Sequence, residues 1–162
     1  MHREIEKRIY IDTSIPSAYY TSRTDEGSLA RQRVTRQWWN KYANLFILTS
    51  SPAVIEELSD GTGEKTLDRI ALVENLEILP ITVDIHQITQ IYIDRLIMPQ
   101  DPSGDALHLA IASFHRMDAL LTWNRSHIAN KNKIPFIQRI NRELGLATPE
   151  LTTPLSYLGG ND

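Results

Sequence analysis

The sequence contains no cysteine, no long apolar run and no strong excess of charge of one sign. The absence of cysteine excludes a disulfide framework and a thiolate metal site. No apolar stretch approaches the roughly 20 residues that span a membrane, and the charged amino terminus MHREIEKR lacks the apolar segment of a signal peptide. With a net charge of −3, a nucleic-acid binder would need a local basic patch. We therefore expect a cytoplasmic protein without a membrane segment.

The 162 residues alternate short apolar strands with amphipathic helices, which predicts one α/β domain with a central parallel sheet. Strands are predicted over residues 8–11, 45–48, 78–81 and 119–122. Helices are predicted over residues 53–59, 64–76, 83–97, 105–114 and 128–144, with a further helix within residues 22–40. Residues 146–162 are rich in Thr, Pro and Gly, and we expect them to form an extended carboxyl-terminal arm or a short strand.

The most apolar helix begins at Asp105, and only His108 and Ser113 interrupt its apolar residues. Such a helix is buried around most of its circumference and is stabilised by packing. A carboxylate in its first turn stays ionised at low cost, because the amino terminus is the positive end of the helix dipole. Ser103 is the expected N-cap. We expect His108 to be packed and hydrogen-bonded rather than to act as a general base.

Acidic residues occur where an open parallel sheet collects reactive groups, at the carboxyl ends of its strands. Asp12 follows the first strand, and Asp105 begins the buried helix. Glu56 and Glu57 lie on the helix after the second strand, and because they point about 100° apart, only one of them can face a given site. Asn124 follows the last predicted strand and adds a neutral oxygen.

Carboxylates gathered in one crevice repel each other, by about 4 kcal/mol for a pair ~4 Å apart at an effective dielectric constant of ~20. The cluster must therefore be partly protonated or neutralised by a cation. Oxygen ligands without Cys or a His pair favour Mg²⁺ or Mn²⁺ over Zn²⁺, and such an ion can bind a phosphodiester oxygen and activate a water. Thr13 and Ser14, next to Asp12, are expected either to bind the ligand or to cap the next helix.

Basic residues form two groups. The loop after Asn124 contains three candidate RNA contacts, Arg125, His127 and Lys131, and for His127 a structural role is the equal alternative. The helix within residues 22–40 contains Arg31, Arg33 and Arg36, for which a solvated helix face is favoured over phosphate contacts.

Tryptophans near these groups have two expected roles. We expect Trp123, at the end of the last predicted strand, to be packed rather than to stack on a base. The apolar helices around Trp38 and Trp39 could supply a dimer surface.

Three segments carry a resemblance to a known family: RIYIDTSIPSAYY (8–20), SSPAVIEELSDG (50–61) and GDALHLAIASFHRMDALLTWNRSHIAN (104–130), with a weaker match in INRELG…TP. The chain resembles PIN-domain proteins, and more narrowly the VapC-type toxin ribonucleases of type II toxin–antitoxin modules. The resemblance implies a PIN-like three-layer α/β/α sandwich and a Mg²⁺- or Mn²⁺-dependent endoribonuclease that hydrolyses RNA phosphodiester bonds. It also implies a homodimer that a small antitoxin protein holds inactive.

The acidic residues of that family match Asp12, Glu57 and Asp105, which the resemblance implies as metal ligands and catalytic residues. Glu56 remains the alternative for the second acid. Many members have a further acid near the end of the fourth strand, where this chain has Asn124. This departure puts a second metal ion, or its affinity, in question, and Asp101 in the preceding loop is the candidate to compensate.

Two other functions remain open. A solitary PIN nuclease would act in RNA processing or DNA cleavage. A catalytically degenerate PIN module would bind nucleic acid or protein without turnover, and Asn124 is the reason to consider it. A haloacid-dehalogenase-type phosphotransferase is disfavoured, because it needs a second Asp where this chain has Ser14.

Overall fold

The computed structural model describes residues 6–95, 97–98 and 104–159. These residues form one parallel sheet of five strands in the order β3-β2-β1-β4-β5. The strands are β1 (Arg8–Ile11), β2 (Ile47–Ser50), β3 (Glu77–Ile78), β4 (Ala119–Leu121) and β5 (Glu150–Thr152). Helices flank this sheet, which confirms the predicted α/β/α sandwich.

Helices connect each strand to the next. The first four are α1 (Ser14–Tyr19), α2 (Glu26–Tyr42), α3 (Pro52–Ser59) and α4 (Thr66–Val73). The others are α5 (Val83–Asp94), α6 (Asp105–Phe114), α7 (Ile134–Glu143) and α8 (Pro154–Tyr157). Among the residues that the structure describes, no helix has the length and apolar character needed to cross a membrane.

The centre of the core is β1, whose residues Ile9, Tyr10 and Ile11 are at most 1% exposed. Strands of a parallel sheet are covered on both faces, so a central strand is a continuous apolar run rather than an alternating one. Helix α6 is buried nearly throughout its length, as its composition predicts. Strand β1, which Asp12 follows, and helix α6, which begins at Asp105, are therefore both firmly packed in the core.

Strand β2 begins and ends two residues later than predicted. Thr49 and Ser50 belong to the strand although their side chains are polar, because both hydroxyls are buried and donate hydrogen bonds to carbonyls of β1. Thr49 Oγ1 lies 3.0 Å from the Ile9 oxygen, and Ser50 Oγ lies 3.1 Å from the Ile11 oxygen. The predicted first residue, Leu45, lies in a short 3₁₀ helix.

The carboxyl-terminal segment is not an arm. Its strand β5 pairs with β4 through Glu150, Leu151 and Thr152 and forms an edge of the sheet. Helix α8 packs on α2, and the Tyr42 hydroxyl donates to the Tyr157 carbonyl at 2.9 Å. The prediction of an extended arm over 146–162 is therefore wrong for the described residues up to 159, and only its alternative of a short strand is confirmed.

The interior contains Trp38, which is completely buried. Its ring stacks with Phe46 at a centroid distance of 6.3 Å and meets Tyr157 edge-on at 5.7 Å. Trp38 is therefore unavailable for the predicted dimer surface. Trp39 is half-buried and packs against Tyr19.

Candidate active site

The sheet order creates a crevice between β1 and β4. The chain runs from β1 outward to β2 and β3, and then crosses to β4 on the other side of β1. Such a change of direction leaves an open groove at the carboxyl ends of the two neighbouring strands. Asp12 is the first residue after β1, and Asn124 follows β4 by three positions.

The three predicted acids meet there. A cleft of about 250 Å³ is lined by Asp12, Glu57 and Asp105 together with Thr13, Ser14, Ser17, His108 and Asn124. These acids come from the end of β1, the middle of α3 and the start of α6. Side chains separated by more than 90 positions in the sequence are therefore neighbours in one cleft.

Asp12 is 3% exposed and is oriented by Ser14. Its Oδ1 accepts hydrogen bonds from the Ser14 backbone N–H at 3.0 Å and from the Ser14 hydroxyl at 2.5 Å. The same hydroxyl oxygen accepts the backbone N–H of Trp123 at 2.8 Å, which ties the end of β1 to the end of β4. Burial raises the pKa of Asp12, and the charge of His108 and the hydrogen bonds from Ser14 and Thr122 oppose this rise only in part. A buried carboxylate whose ionisation is unfavourable gains from a nearby cation.

Glu57 is the member of the glutamate pair that faces the cleft. Its Oε2 accepts the Thr13 hydroxyl at 2.6 Å, and its Oε1 lies 2.9 Å from Nε2 of His108. Glu56 is exposed and does not line the cleft. The geometry thus favours Glu57 over Glu56. Adjacent residues on a helix point about 100° apart, so only one of the two can face the cleft.

His108 connects the cleft to the core. It is 1% exposed, and its Nδ1 lies 2.7 Å from the Tyr10 hydroxyl, which in turn lies 2.8 Å from Ser51 Oγ. Burial lowers the pKa of His108, but the hydrogen bond and charge of Glu57, with the charges of Asp12 and Asp105, more than offset this and raise it. His108 is therefore packed and hydrogen-bonded, as predicted, and its ion pair with Glu57 is an addition that the sequence did not reveal.

Asp105 is the first residue of α6 and is 6% exposed. The residue before it, Gly104, has a φ of +75°, a conformation that side chains disfavour. A Cβ at Gly104 would lie 2.6 Å from Oε1 of Glu57, so the backbone approaches that carboxylate closely. The predicted N-cap Ser103 and the predicted compensating acid Asp101 lie outside the described residues.

Asn124 lines the cleft, but its side-chain oxygen is engaged elsewhere. It accepts the backbone N–H groups of Ser126 at 3.1 Å and His127 at 2.9 Å. A carbonyl oxygen has two lone pairs, and both are directed to this turn. Asn124 therefore shapes the loop after β4.

The three predicted RNA contacts are not part of the cleft lining. The guanidinium carbon of Arg125 lies 5.6 Å from the Trp123 ring centroid. His127 Nδ1 lies 3.1 Å from Nζ of Lys133, and Lys131 is exposed. Trp123 itself is 7% exposed and donates its indole N–H to Thr35, so it is packed as predicted.

The donor set of the cleft suits a hard divalent cation. Its ionisable ligands are three carboxylates and one imidazole, and Mg²⁺ often binds through one or two carboxylates while keeping several waters. Among the described residues, however, no group of three or more His, Asp or Glu side chains converges closely enough to hold a metal ion. Glu57 is directed at Thr13 and His108, so a metal site with three protein carboxylates would require Glu57 to turn.

A second pocket, of about 300 Å³, shares Ser14 and Ser17 with the cleft. We call it the arginine pocket, because its charged lining residues are Arg23, Arg31 and Arg69. The sequence interpretation of Arg31 as part of a solvated helix face overlooked this pocket. Its three arginines come from α2, α4 and the loop between α1 and α2, and helical spacing alone does not bring them together.

No protein-family model and no curated protein sequence matches the chain. Among solved structures, it is similar to VapC20 of Mycobacterium tuberculosis, a toxin that cleaves the sarcin–ricin loop, with a TM-score of 0.56 and 15% identity over 74% of this chain and 92% of that chain. A second similar structure is VapBC2 of Rickettsia felis bound to a promoter DNA fragment, with a TM-score of 0.48 and 14% identity over 74% of this chain and 89% of that one. The likeness to VapC20 shows that this chain shares the fold of that protein.

Proposed function

We propose that the chain is a Mg²⁺- or Mn²⁺-dependent endoribonuclease that hydrolyses RNA phosphodiester bonds, and that it is the toxin of a toxin–antitoxin pair. The observation that carries the proposal is the meeting of Asp12, Glu57 and Asp105 in one cleft. Its position at the carboxyl ends of β1 and β4 is where open α/β sheets bind their ligands. The fold shared with VapC20, which cleaves the sarcin–ricin loop, supports RNA as the substrate.

A divalent cation bound at these carboxylates would neutralise phosphodiester charge and lower the pKa of a water molecule. The residues of the chain prepare the site for it. Asp12 and Asp105 supply buried negative charge at the crevice. Ser14 holds Asp12 in place. Glu57 is held by Thr13 at Oε2 and by His108 at Oε1, and it would have to leave His108 to bind the ion. Orientation by such neighbours is what positions metal ligands in proteins generally.

Cleavage assays test the nuclease with a matched pair of variants. Purified protein is incubated with ribosomal RNA in Mn²⁺, in Mg²⁺ or in EDTA. We expect the wild type and Glu56→Gln to cut the RNA with either metal, and Glu57→Gln and Asp105→Asn to lose about 100-fold or more of the rate while remaining folded by circular dichroism. Cleavage in EDTA, or unchanged cleavage by Asp105→Asn, would overturn the assignment. RNA binding without cleavage under any condition would instead favour the catalytically degenerate module.

The toxin role has its own test. Expression of the wild-type chain should arrest bacterial growth, Asp105→Asn should not, and co-expression of a small protein encoded beside it should restore growth. Normal growth with an active nuclease would favour the solitary enzyme of RNA processing or DNA cleavage. The antitoxin, the homodimer and the cytoplasmic location stay predictions, and light scattering of the purified chain tests the dimer.

A further inference from the structure

The arginine pocket combines three cations with hydroxyl groups and has no acidic residue in its lining. In the described part of the chain, neither Arg23, Arg31 nor Arg69 forms an ion pair with a carboxylate. The whole chain has a net charge of −3, so this pocket is a local concentration of positive charge. Guanidinium groups that form no ion pair with a protein carboxylate suit a phosphate group.

A continuous set of contacts connects this pocket to the acidic cleft. The guanidinium carbon of Arg31 lies 5.7 Å from the centroid of the Trp123 ring. The ring is held by a 2.9 Å hydrogen bond from its N–H to Thr35, and the backbone N–H of Trp123 donates to Ser14. Ser14 in turn donates to Asp12. Hydrogen bonds therefore fix the Trp123 ring relative to the cleft. The cation–π contact with this ring stabilises Arg31 beside it.

The depressions on this surface continue beyond the arginine pocket. A third one, of about 210 Å³, shares Ser22 and Arg69 with it, and its other charged lining residues are Lys65 and Glu64. Arg69 is anchored there by two hydrogen bonds from its guanidinium to the Tyr20 carbonyl, at 3.0 and 2.7 Å. Three successive depressions that share walls fit a polymer with repeated phosphates better than they fit one small anion.

We propose that the arginine pocket binds a phosphate of the RNA strand next to the phosphodiester that lies in the acidic cleft. Arg23 and Arg31 contact the phosphate, Arg69 completes the positive wall, and Trp123 is the positioning residue for Arg31. This inference rests on the proposed function, because it assigns a flanking part of the same substrate. It adds to the cleavage centre a path for the RNA strand, which runs from the cleft toward α4.

RNA binding measured separately from cleavage tests this pocket. The probe is a fluorescein-labelled pool of random 20-nucleotide single-stranded RNA, in EDTA so that no cutting occurs. The variants are Arg31→Gln and Arg23→Gln, and the control is Arg33→Gln, which removes the same charge from an exposed position on α2 outside the pocket. Each pocket variant should bind about fivefold or more weakly, and its slope of log affinity against log salt should fall by about 0.7, the loss of one single-strand phosphate contact. The control should change affinity by less than about twofold.

A second arm locates the contact on the RNA strand. In the shortest RNA that the wild type cuts, the linkage adjoining the cut site is replaced by an uncharged methylphosphonate. This should weaken binding by the wild type but not by Arg31→Gln, because the two changes remove the same contact. Equal weakening of both proteins, or pocket variants indistinguishable from Arg33→Gln, would overturn the pocket while leaving metal-dependent cleavage intact.

Inorganic phosphate provides the remaining comparison. Chloride is replaced by phosphate at constant ionic strength, and the change in melting temperature is measured for each protein. We expect this change to be no larger for the wild type than for Arg31→Gln. A rise specific to the wild type would assign the pocket to a free anion and overturn the RNA subsite. Failure of the wild type to bind any RNA would overturn both this inference and the nuclease.

Discussion

His108 Nε2 lies 2.9 Å from Glu57 Oε1, and this contact joins the acidic cleft to the core of the sheet. The charges of Asp12 and Asp105 act on the same imidazole and, with Glu57, raise its pKa. A protonated His108 therefore balances part of their repulsion in the absence of a metal. A divalent ion that recruited Glu57 would have to replace this ion pair, so His108 and the metal compete for one carboxylate.

The variant His108→Gln should destabilise the metal-free protein. It removes a buried cation and leaves Glu57 and Tyr10 without their shared partner, for which we expect a loss of about 1–3 kcal/mol in the free energy of unfolding. The control is His86→Gln, at an exposed position on α5, for which a change within about 0.5 kcal/mol is expected. Urea unfolding in EDTA measures both. Equal stabilities of the two variants would show that the His108–Glu57 pair does not stabilise the fold.

Stability should also depend on pH through the same residues. The pKa values of Asp12 and His108 are both raised in the folded protein. A raised pKa means that the folded state holds the proton more tightly than the unfolded state, so the contribution is complete below the unfolded pKa and is lost as pH rises through the folded one. For Asp12 the loss begins above about pH 4, and for His108 above about pH 6.5.

The measurement is urea unfolding in EDTA from pH 5 to pH 9. We expect the free energy of unfolding of the wild type to fall as pH rises above about 6.5. The difference between the wild type and His108→Gln should shrink over the same interval, because titration removes the proton that the variant already lacks. A constant difference between the two proteins at all pH values would contradict the prediction.

Removing one carboxylate should have opposite effects with and without metal. In EDTA, Asp12→Asn should melt about 2–4 °C higher than the wild type, since it replaces a buried charge whose ionisation is unfavourable with a neutral group that can still accept from Ser14. In millimolar Mg²⁺ the wild type should gain stability by ligand binding and Asp12→Asn should not. Asp60→Asn, at an exposed residue after α3, should follow the wild type in both solutions. A gain from Mg²⁺ that is the same in Asp12→Asn would place the metal elsewhere.

The sequence predicted those parts of the site that follow from strand ends and helix starts. Asp12 and Asp105 could be assigned because an apolar strand and an apolar helix have unmistakable patterns, and because the topology of a parallel sheet brings their ends together. Glu57 and Glu56 could not be separated by residue pattern alone, because the choice depends on how α3 rotates about its axis. That rotation is set by packing of its buried residues against the sheet.

The parts that were missed depend on contacts between distant side chains. The predicted β2 ended two residues too early, because Thr49 and Ser50 are polar in sequence. Their hydroxyls are buried and bind carbonyls of another strand. Residues 146–159 resemble a loop in composition, yet β5 adds to the sheet through backbone hydrogen bonds that composition does not show. The three arginines of the arginine pocket come from three segments, and no local pattern encodes their meeting.

Gly104 provides a test of how closely the backbone must approach the acids. Its φ is +75°, and a Cβ there would lie 2.6 Å from Oε1 of Glu57. Gly145 has almost the same φ of +74°, but a Cβ there would meet nothing within 4 Å. The two glycines therefore separate the strain of a left-handed conformation from a collision with the active site.

Both Gly104→Ala and Gly145→Ala should lower the free energy of unfolding by about 1–2 kcal/mol, the cost of placing a side chain in this conformation. Only Gly104→Ala should also reduce RNA cleavage, because the new methyl group would collide with Oε1 of Glu57 and displace that carboxylate within the cleft. We expect a loss of about tenfold or more in the rate at saturating Mg²⁺, since small displacements at a reaction centre are costly. Urea unfolding and a cleavage assay on the same preparations measure the two effects. If Gly145→Ala lost as much activity as Gly104→Ala, general destabilisation would explain both, and the position of Glu57 would not matter for cleavage.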